Sequence, residues 1–147
     1  MYNIRPMTDD DVSDVCDIEN VIFSLPWSDK SFKDACGNPD NVYLVCEYDG
    51  KIAGYCGMWT VLGEGNITNM AVDQNYRGRG IAQKLMEELH AAGSAKNVDT
   101  YFLEVRESNV PAINLYKKMG YKEIGRRKRF YERPVEDALV MSKSDYI

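Results

Sequence analysis

Apolar residues recur at helical spacing near the start of the chain, where Val12, Val15, Ile18 and Ile22 form one stripe. Thr8 precedes the stripe as an N-cap. Asp9, Asp10 and Asp11 then place carboxylates in the first turn, where the helix dipole favours negative charge. Residues 3–5 predict a short strand that Pro6 ends. Leu25-Pro26-Trp27 breaks the helix, Ser28 with Asp29 starts a second one through residues 30–36, and Gly37-Asn38-Pro39 stops it.

From there the period shortens to that of extended chain. Residues 42–48 and 51–60 flank Asp49-Gly50, a strong signal for a two-residue hairpin. A third extended segment, 66–72, follows Gly63-Glu64-Gly65. The helical period returns with Ile81, Leu85 and Leu89, flanked by Ala82 and Met86, in a helix expected to end near Gly93. Residues 100–105 read as an apolar strand. Pro111 opens a helix carrying Ala112, Leu115 and Met119, which Gly120 closes. Residues 121–129 and 137–142 are the last two strands. The order β-α-α-β-β-β-α-β-α-β-β predicts an α/β fold, with a mixed central sheet of about seven strands and four helices. Strand–helix–strand over 66–105 predicts a parallel pair joined by a right-handed crossover.

The length of 147 residues predicts one domain, 1–147, with no repeat or linker interrupting it. An apolar fraction of 44% against 28% charged supplies a core and argues against disorder, collagen and coiled coil. The longest apolar run, 42–46, is far too short to span a bilayer. The opening residues lack the basic start and apolar stretch of a signal peptide, so a cytoplasmic location and no membrane partner are expected. The net charge of −5 is unevenly spread. Residues 1–50 hold three Lys/Arg against eleven Asp/Glu, whereas the remainder has a net of +3. The first third can therefore face a cationic partner and the rest an anion. Cys16, Cys36, Cys46 and Cys56 form no C-x-x-C pair, and His90 is the sole histidine. A zinc site lacks ligands at usable spacing, so reduced, buried cysteines and no metal are expected.

Between the strand at 66–72 and the helix at 81 runs Asp73-Gln74-Asn75-Tyr76-Arg77-Gly78-Arg79-Gly80-Ile81-Ala82. Glycines leading into a helix N-terminus expose backbone N–H groups and the positive dipole end, which suits a pyrophosphate. Arg77 and Arg79 add charge, while Gly80 and Ala82 let a ligand approach the backbone. The loop lacks the Gly-Lys-Ser/Thr ending of a P-loop. Gln83 stands where a dinucleotide fingerprint requires its last glycine.

Arg77-x-x-Gly80-x-Ala82 after Asn69-Met70-Ala71-Val72 resembles the acyl-CoA signature of the GNAT acetyltransferase superfamily. Four further stretches resemble its RimI group, the ribosomal-protein-alanine N-acetyltransferases. They are Pro26-Trp27-Ser28, Leu103-Glu104-Val105-Arg106, Asn109 with Asn114-Leu115-Tyr116 and Met119-Gly120-Tyr121, and the ending Asp137-Ala138-Leu139-Val140-Met141. The resemblance covers essentially the whole chain and implies the GNAT fold with acetyl-CoA as acetyl donor. By that resemblance Met70, Ala71 and Val72 bind the pantetheine and acetyl group. A backbone N–H there steadies the oxyanion, a contribution of roughly 3–4 kcal/mol in other enzymes. Arg77, Gly78, Arg79, Gly80, Ile81, Ala82 and Gln83 wrap the pyrophosphate, and Asn109 and Tyr116 also contact the cofactor.

Glu104 stands out in the apolar strand Tyr101-Phe102-Leu103-Glu104-Val105, which is expected to be covered on both faces. A carboxylate there is costly unless paired or used. Arg106, two residues on, is its expected partner if the role is structural. The resemblance makes Glu104 the general base, with burial favouring its neutral form, and Tyr116 the general acid that protonates the CoA thiolate. An α-amine is roughly 10–15% neutral at pH 7 and a lysine on the order of 0.04%. One carboxylate is thus adequate for an N-terminal amine. With no histidine placed to activate a thiol, direct attack in a ternary complex is expected over a cysteine ping-pong route.

Trp27 and Tyr131 match positions that line the acceptor channel, and the acidic first third suits a basic N-terminal peptide of a ribosomal protein. Family members carry Tyr-Tyr where this chain has Phe130-Tyr131. The run Arg126-Arg127-Lys128-Arg129 is short and the global charge negative, so no direct nucleic-acid contact is expected. Two alternatives stay open: acetylation of a small amine or a protein lysine, and a non-catalytic acyl-CoA-binding module.

Overall fold

A computed structural model of the chain describes residues 2–144. One sheet carries seven strands in the order β1-β2-β3-β4-β5-β7-β6. These are β1 (Tyr2–Pro6), β2 (Asn41–Tyr48), β3 (Lys51–Val61), β4 (Glu64–Val72), β5 (Thr100–Arg106), β6 (Lys122–Tyr131) and β7 (Glu136–Ser144). Helices α1 (Val12–Ile22) and α2 (Asp29–Cys36) follow β1, α3 (Ile81–Ala95) follows β4, and α4 (Val110–Lys118) follows β5. Every neighbouring pair is antiparallel except β4 and β5, as the strand–helix–strand order requires.

The helices cover opposite faces. Val12, Val15, Ile18 and Phe32 of α1 and α2 bury against Tyr43, Val45, Tyr55 and Ala71. On the other face Ile81, Leu85, Met86 and Leu89 of α3, with Ile113 and Tyr116 of α4, bury against Cys56, Met58, Tyr101, Leu103 and Val105. All four cysteines are free. Cys16, Cys46 and Cys56 are buried, and Cys36 is half-buried. Asp49 and Gly50 both adopt positive φ, 50° and 82°, as the β2–β3 hairpin demands.

Several boundaries differ from the sequence reading for identifiable reasons. Asp9–Asp11 form a separate tight turn ahead of α1. The Asp11 carboxylate turns inward there, accepting from Thr8 N–H (2.8 Å) and from both terminal nitrogens of Arg5 (2.7 and 2.8 Å). Helix α3 runs past Gly93 to Ala95, and a Cβ at position 93 would sit 2.4 Å from the Tyr101 hydroxyl. Gly93 is a packing glycine inside the helix rather than its end. Strand β4 begins at Glu64, since the turn falls on Leu62-Gly63, and Gly65 lies inside the strand against Met58 and Tyr101.

Candidate active site

Strands β4 and β5 pair over only three positions: Glu64 with Thr100, Gly65 with Tyr101, and Asn66 with Phe102. A bulge follows at once. Gly57 faces Asn69 while Met58 faces Ile67, which leaves Thr68 without an opposite residue on β3. A bulge bends its strand and increases its twist, so β4 leaves β5 and the sheet splays open. A cavity of about 1140 Å³ occupies the opening, and its wall includes Trp27, Met70, Glu104, Asn109, Tyr116 and Tyr131.

Glu104 reaches this cavity because β5 alternates. Tyr101, Leu103 and Val105 bury under α3 and α4, so Phe102, Glu104 and Arg106 take the opposite face. The strand is therefore not covered on both faces, and the Glu104 side chain is 33% exposed. The full burial expected from the sequence is not found, because α1 and α2 pack on β2, β3 and β4 and leave this face of β5 to the cavity. Nor is Arg106 the partner. Arg106 binds Glu136 (3.2 Å) and the carbonyls of Glu132 and Pro134, whereas Glu104 Oε2 lies 2.9 Å from Arg127 Nε of β6.

Tyr116 comes to the same cavity from the other layer. It sits in the second turn of α4, buried beside Tyr121 at a ring distance of 5.9 Å. Burial pushes its phenol well above the usual tyrosine range, so the group stays protonated at neutral pH. Asn109 caps α4 by accepting from Ala112 N–H (3.3 Å), which leaves its amide NH₂ for a ligand. Tyr131 is half-buried beneath the Arg106 guanidinium, 4.4 Å from its ring centroid. Burial, and then the nearby Glu104 charge, push its phenol up to about 12.

The glycine-rich loop forms a separate part of the site, outside the cavity wall. Gly78 and Gly80 take φ of +79° and +75°, and a Cβ on either would meet nothing within 4 Å. Gly80 is the left-handed N-cap of α3, and Lys84 N–H is the first to close back on its carbonyl (3.1 Å). The N–H groups of Ile81, Ala82 and Gln83 have no intrahelical acceptor, so an open backbone face points its donors outward, as a pyrophosphate requires. Arg77 Nε donates to Val72 O (3.2 Å), and Arg79 stacks over Tyr48 and Tyr76. Gln83 accepts from Lys118 (3.2 Å). Of Met70, Ala71 and Val72, only Met70 lines the cavity. Ala71 is buried on the α1/α2 face, and Val72 packs with the α3/α4 cluster.

Trp27 lies on the cavity wall and also packs on Phe32 and Tyr43, with ring centroids 5.2 and 6.2 Å away. Its ring therefore both faces the cavity and packs into the core. Ser24, in the same α1–α2 loop, donates to Glu132 O (3.0 Å) and bridges the cavity to the β6–β7 hairpin. Sequence reasoning missed Glu19, which is 3% exposed and on the same wall. The signal was present, since Glu19 falls four residues after Val15 and three before Ile22, within the apolar stripe. It also missed the chain Trp59 Nε1 to Tyr43 Oη (3.1 Å) to Thr68 Oγ1 (2.9 Å), which braces the bulge.

A sheet opened at a parallel pair, with an open helix N-terminus at one end and a carboxylate and a phenol on the wall of the gap, is an arrangement that suits an acyl-CoA-dependent acyltransferase. Residues 12–121 match the profile of the Acetyltransferase (GNAT) family, and the chain belongs to that family. It is an N-acetyltransferase by family. The [ribosomal protein bS18]-alanine N-acetyltransferases of Escherichia coli K12 and Salmonella typhimurium are each 33% identical over 97% of this chain and 97% of their own. A Bacillus subtilis protein given the same activity provisionally is 41% identical over 94% of this chain and 92% of its own. The crystal structure of the Escherichia coli ribosomal-protein-S18-alanine N-acetyltransferase superposes with a TM-score of 0.92 at 30% identity, covering 100% of this chain and 96% of that one. Arabidopsis thaliana NAA60, solved with acetyl-CoA, shares the fold at a TM-score of 0.88 and 23% identity, over 98% of each chain.

Proposed function

We propose that the chain transfers the acetyl group of acetyl-CoA to the N-terminal α-amine of a protein, with the N-terminal alanine of ribosomal protein bS18 as acceptor. The observation that carries this reading is the placement of Glu104 and Tyr116 on one cavity wall, where β4 and β5 separate. The acceptor identity follows the relatives that act on bS18 alanine.

Glu104 Oε1, opposite the oxygen held by Arg127, takes the proton of the attacking amine, directly or through a water. The amine nitrogen bonds to the thioester carbonyl carbon, and the carbon–sulfur bond breaks. Tyr116 gives its proton to the departing thiolate and recovers one from solvent. The N–H groups of residues 78–83 hold the pyrophosphate, and the Asn109 amide donates to the cofactor arm. No step needs a metal, because the thioester is already activated. A ribosomal acceptor and acetyl-CoA place the reaction in the cytoplasm.

The test is mass-spectrometric acetyl transfer to Ala-, Ser- and Met-starting basic peptides, with blocked N-termini and internal lysines as controls. Mass gain confined to free Ala-starting peptides, abolished by Glu104→Gln and slowed about 10-fold or more by Tyr116→Phe, is expected. Binding of acetyl-CoA without transfer to any free N-terminus overturns the reading.

A further inference from the structure

Glu19 is a buried carboxylate that the chemistry above does not use. Its side chain lies on α1 among apolar neighbours, where an unpaired charge is costly. Both oxygens are engaged. Oε1 accepts from the Tyr55 hydroxyl at 2.6 Å, and Oε2 accepts from the backbone N–H of Trp27 at 2.9 Å. Tyr55 is fully buried in β3, a rigid part of the sheet. Trp27 belongs to the α1–α2 loop that forms one side of the cavity. Glu19 therefore ties a mobile type of element, a loop, to a fixed one through two charge-assisted bonds.

The ring contacts complete the clamp. Phe32 packs on Trp27 from one side and edge-on against Tyr55 from the other, at 5.2 and 5.9 Å. Trp27 is thus held by its backbone through Glu19 and by its ring through Phe32. The farther part of the loop is fastened by Ser24 to the exposed Glu132 carbonyl. Without the Glu19 bond the Trp27 backbone has no other hydrogen-bonded anchor to the sheet among the described residues.

We infer that Glu19 is a positioning residue for the acceptor: it holds the α1–α2 loop in the shape that receives the N-terminal segment of a peptide. The inference rests on the acceptor reading above. A loop already in its bound shape spares the ordering cost of binding, so the effect falls on peptide affinity. The glycine-rich loop, α3 and α4 of the donor side lie on the opposite face of the sheet, so the donor side is unaffected.

The experiment is steady-state kinetics of Glu19→Ala, Glu19→Gln and Glu19→Asp with an Ala-starting basic peptide and acetyl-CoA. Hydrogen exchange at the Trp27 amide is measured in parallel. Glu19→Ala is expected to raise the peptide KM about 10-fold or more, while kcat and the acetyl-CoA KM stay within about 2-fold. Trp27 N–H should exchange faster. Glu19→Gln, whose amide can accept from Trp27 and donate to the Tyr55 hydroxyl, should restore near wild-type values. Glu19→Asp, one methylene too short to reach both donors, should fall between, and it keeps the test open if the alanine variant does not fold. Tyr55→Phe cuts the link from Glu19 to the sheet but leaves its bond to Trp27 N–H, and it is expected to lower Tm and to raise the peptide KM by less than Glu19→Ala does, with the acetyl-CoA KM unchanged. Equal changes in both KM values, a pure kcat effect, or an unchanged peptide KM with unaltered exchange overturns the inference. Wild-type enzyme inactive on every peptide instead overturns the acceptor reading, and the exchange measurement still decides whether Glu19 fixes the loop.

Discussion

Arg127 of β6 and Glu104 of β5 form an ion pair across the width of β7, with Nε 2.9 Å from Oε2. The side chains are 60% and 33% exposed, so solvent screens the pair and its contribution to folding is about 0–1 kcal/mol. Its consequence lies in orientation. With one carboxylate oxygen held, the other has a defined direction into the cavity. Arg127→Met is expected to leave Tm within about 2 °C of wild type and to lower kcat/KM about 3- to 10-fold, roughly 1 kcal/mol of transition-state stabilisation. Parallel thermal melts and initial-rate measurements check both halves. A large Tm loss with unchanged kcat/KM would assign the pair to stability instead.

Tyr116 and Tyr55 carry a consequence for alkaline stability. Burial raises both phenols, and the Glu19 charge adds to the effect at Tyr55. The thiols of Cys36 and Cys16 rise for the same leading reason, to about 11 and about 12. An acid whose native pKa lies above its unfolded value keeps its proton in the folded chain after the unfolded chain has lost it. Stability is then fully present below the unfolded values and falls as pH rises through about 8.5 for thiols and about 10 for phenols. Urea midpoints should be flat from pH 7 to about 8, then decline. Tyr116→Phe, which removes one such group, should shallow the decline above about pH 10.

The opposite sign applies to Asp11. Its hydrogen bonds from Arg5, and then from Thr8, hold the carboxyl below the usual aspartate value. A depressed native pKa adds stability that is complete above about pH 4 and is lost as pH falls through the native value. Asp11→Asn is expected to lower stability at pH 7 and to flatten the acid limb of the stability curve. Matching wild-type and variant acid limbs would show that the Arg5 pairing does not carry the effect.

The parts of the fold legible in the sequence were those set by neighbours along the chain. Asp49-Gly50 demands a hairpin by its backbone alone, and the glycines at 78 and 80 announce an open N-terminus before α3. Element order followed from the same local signals. What escaped depends on distant residues. Nothing near Glu104 names Arg127, twenty-three positions on, because the pairing requires β7 to lie between their strands. The apolar composition of β5 suggested cover on both faces, yet α1 and α2 pack on β2, β3 and β4, and one face of β5 lines the cavity instead. Glu19 was legible in principle, as a charge on an apolar stripe, but its meaning needed Tyr55 and Trp27 in place.

Gly80 offers the sharpest separation of donor from acceptor. Its φ of +75° favours glycine, and its Cα faces open space rather than packed atoms. Alanine there meets no clash but pays for the left-handed backbone, about 1–2 kcal/mol. The added methyl also stands beside the N–H groups proposed to hold the pyrophosphate. Gly80→Ala is therefore expected to raise the acetyl-CoA KM about 10-fold and to leave the peptide KM unchanged. Gly125 of the exposed strand β6 is the control, since a Cβ there also meets nothing within 4 Å and no positive φ is involved. Gly125→Ala should change stability by less than about 0.5 kcal/mol and leave acetyl-CoA binding intact. Calorimetric titration of CoA into the two variants measures the donor effect without turnover. If Gly80→Ala binds CoA as tightly as Gly125→Ala, the glycine-rich loop does not hold the pyrophosphate.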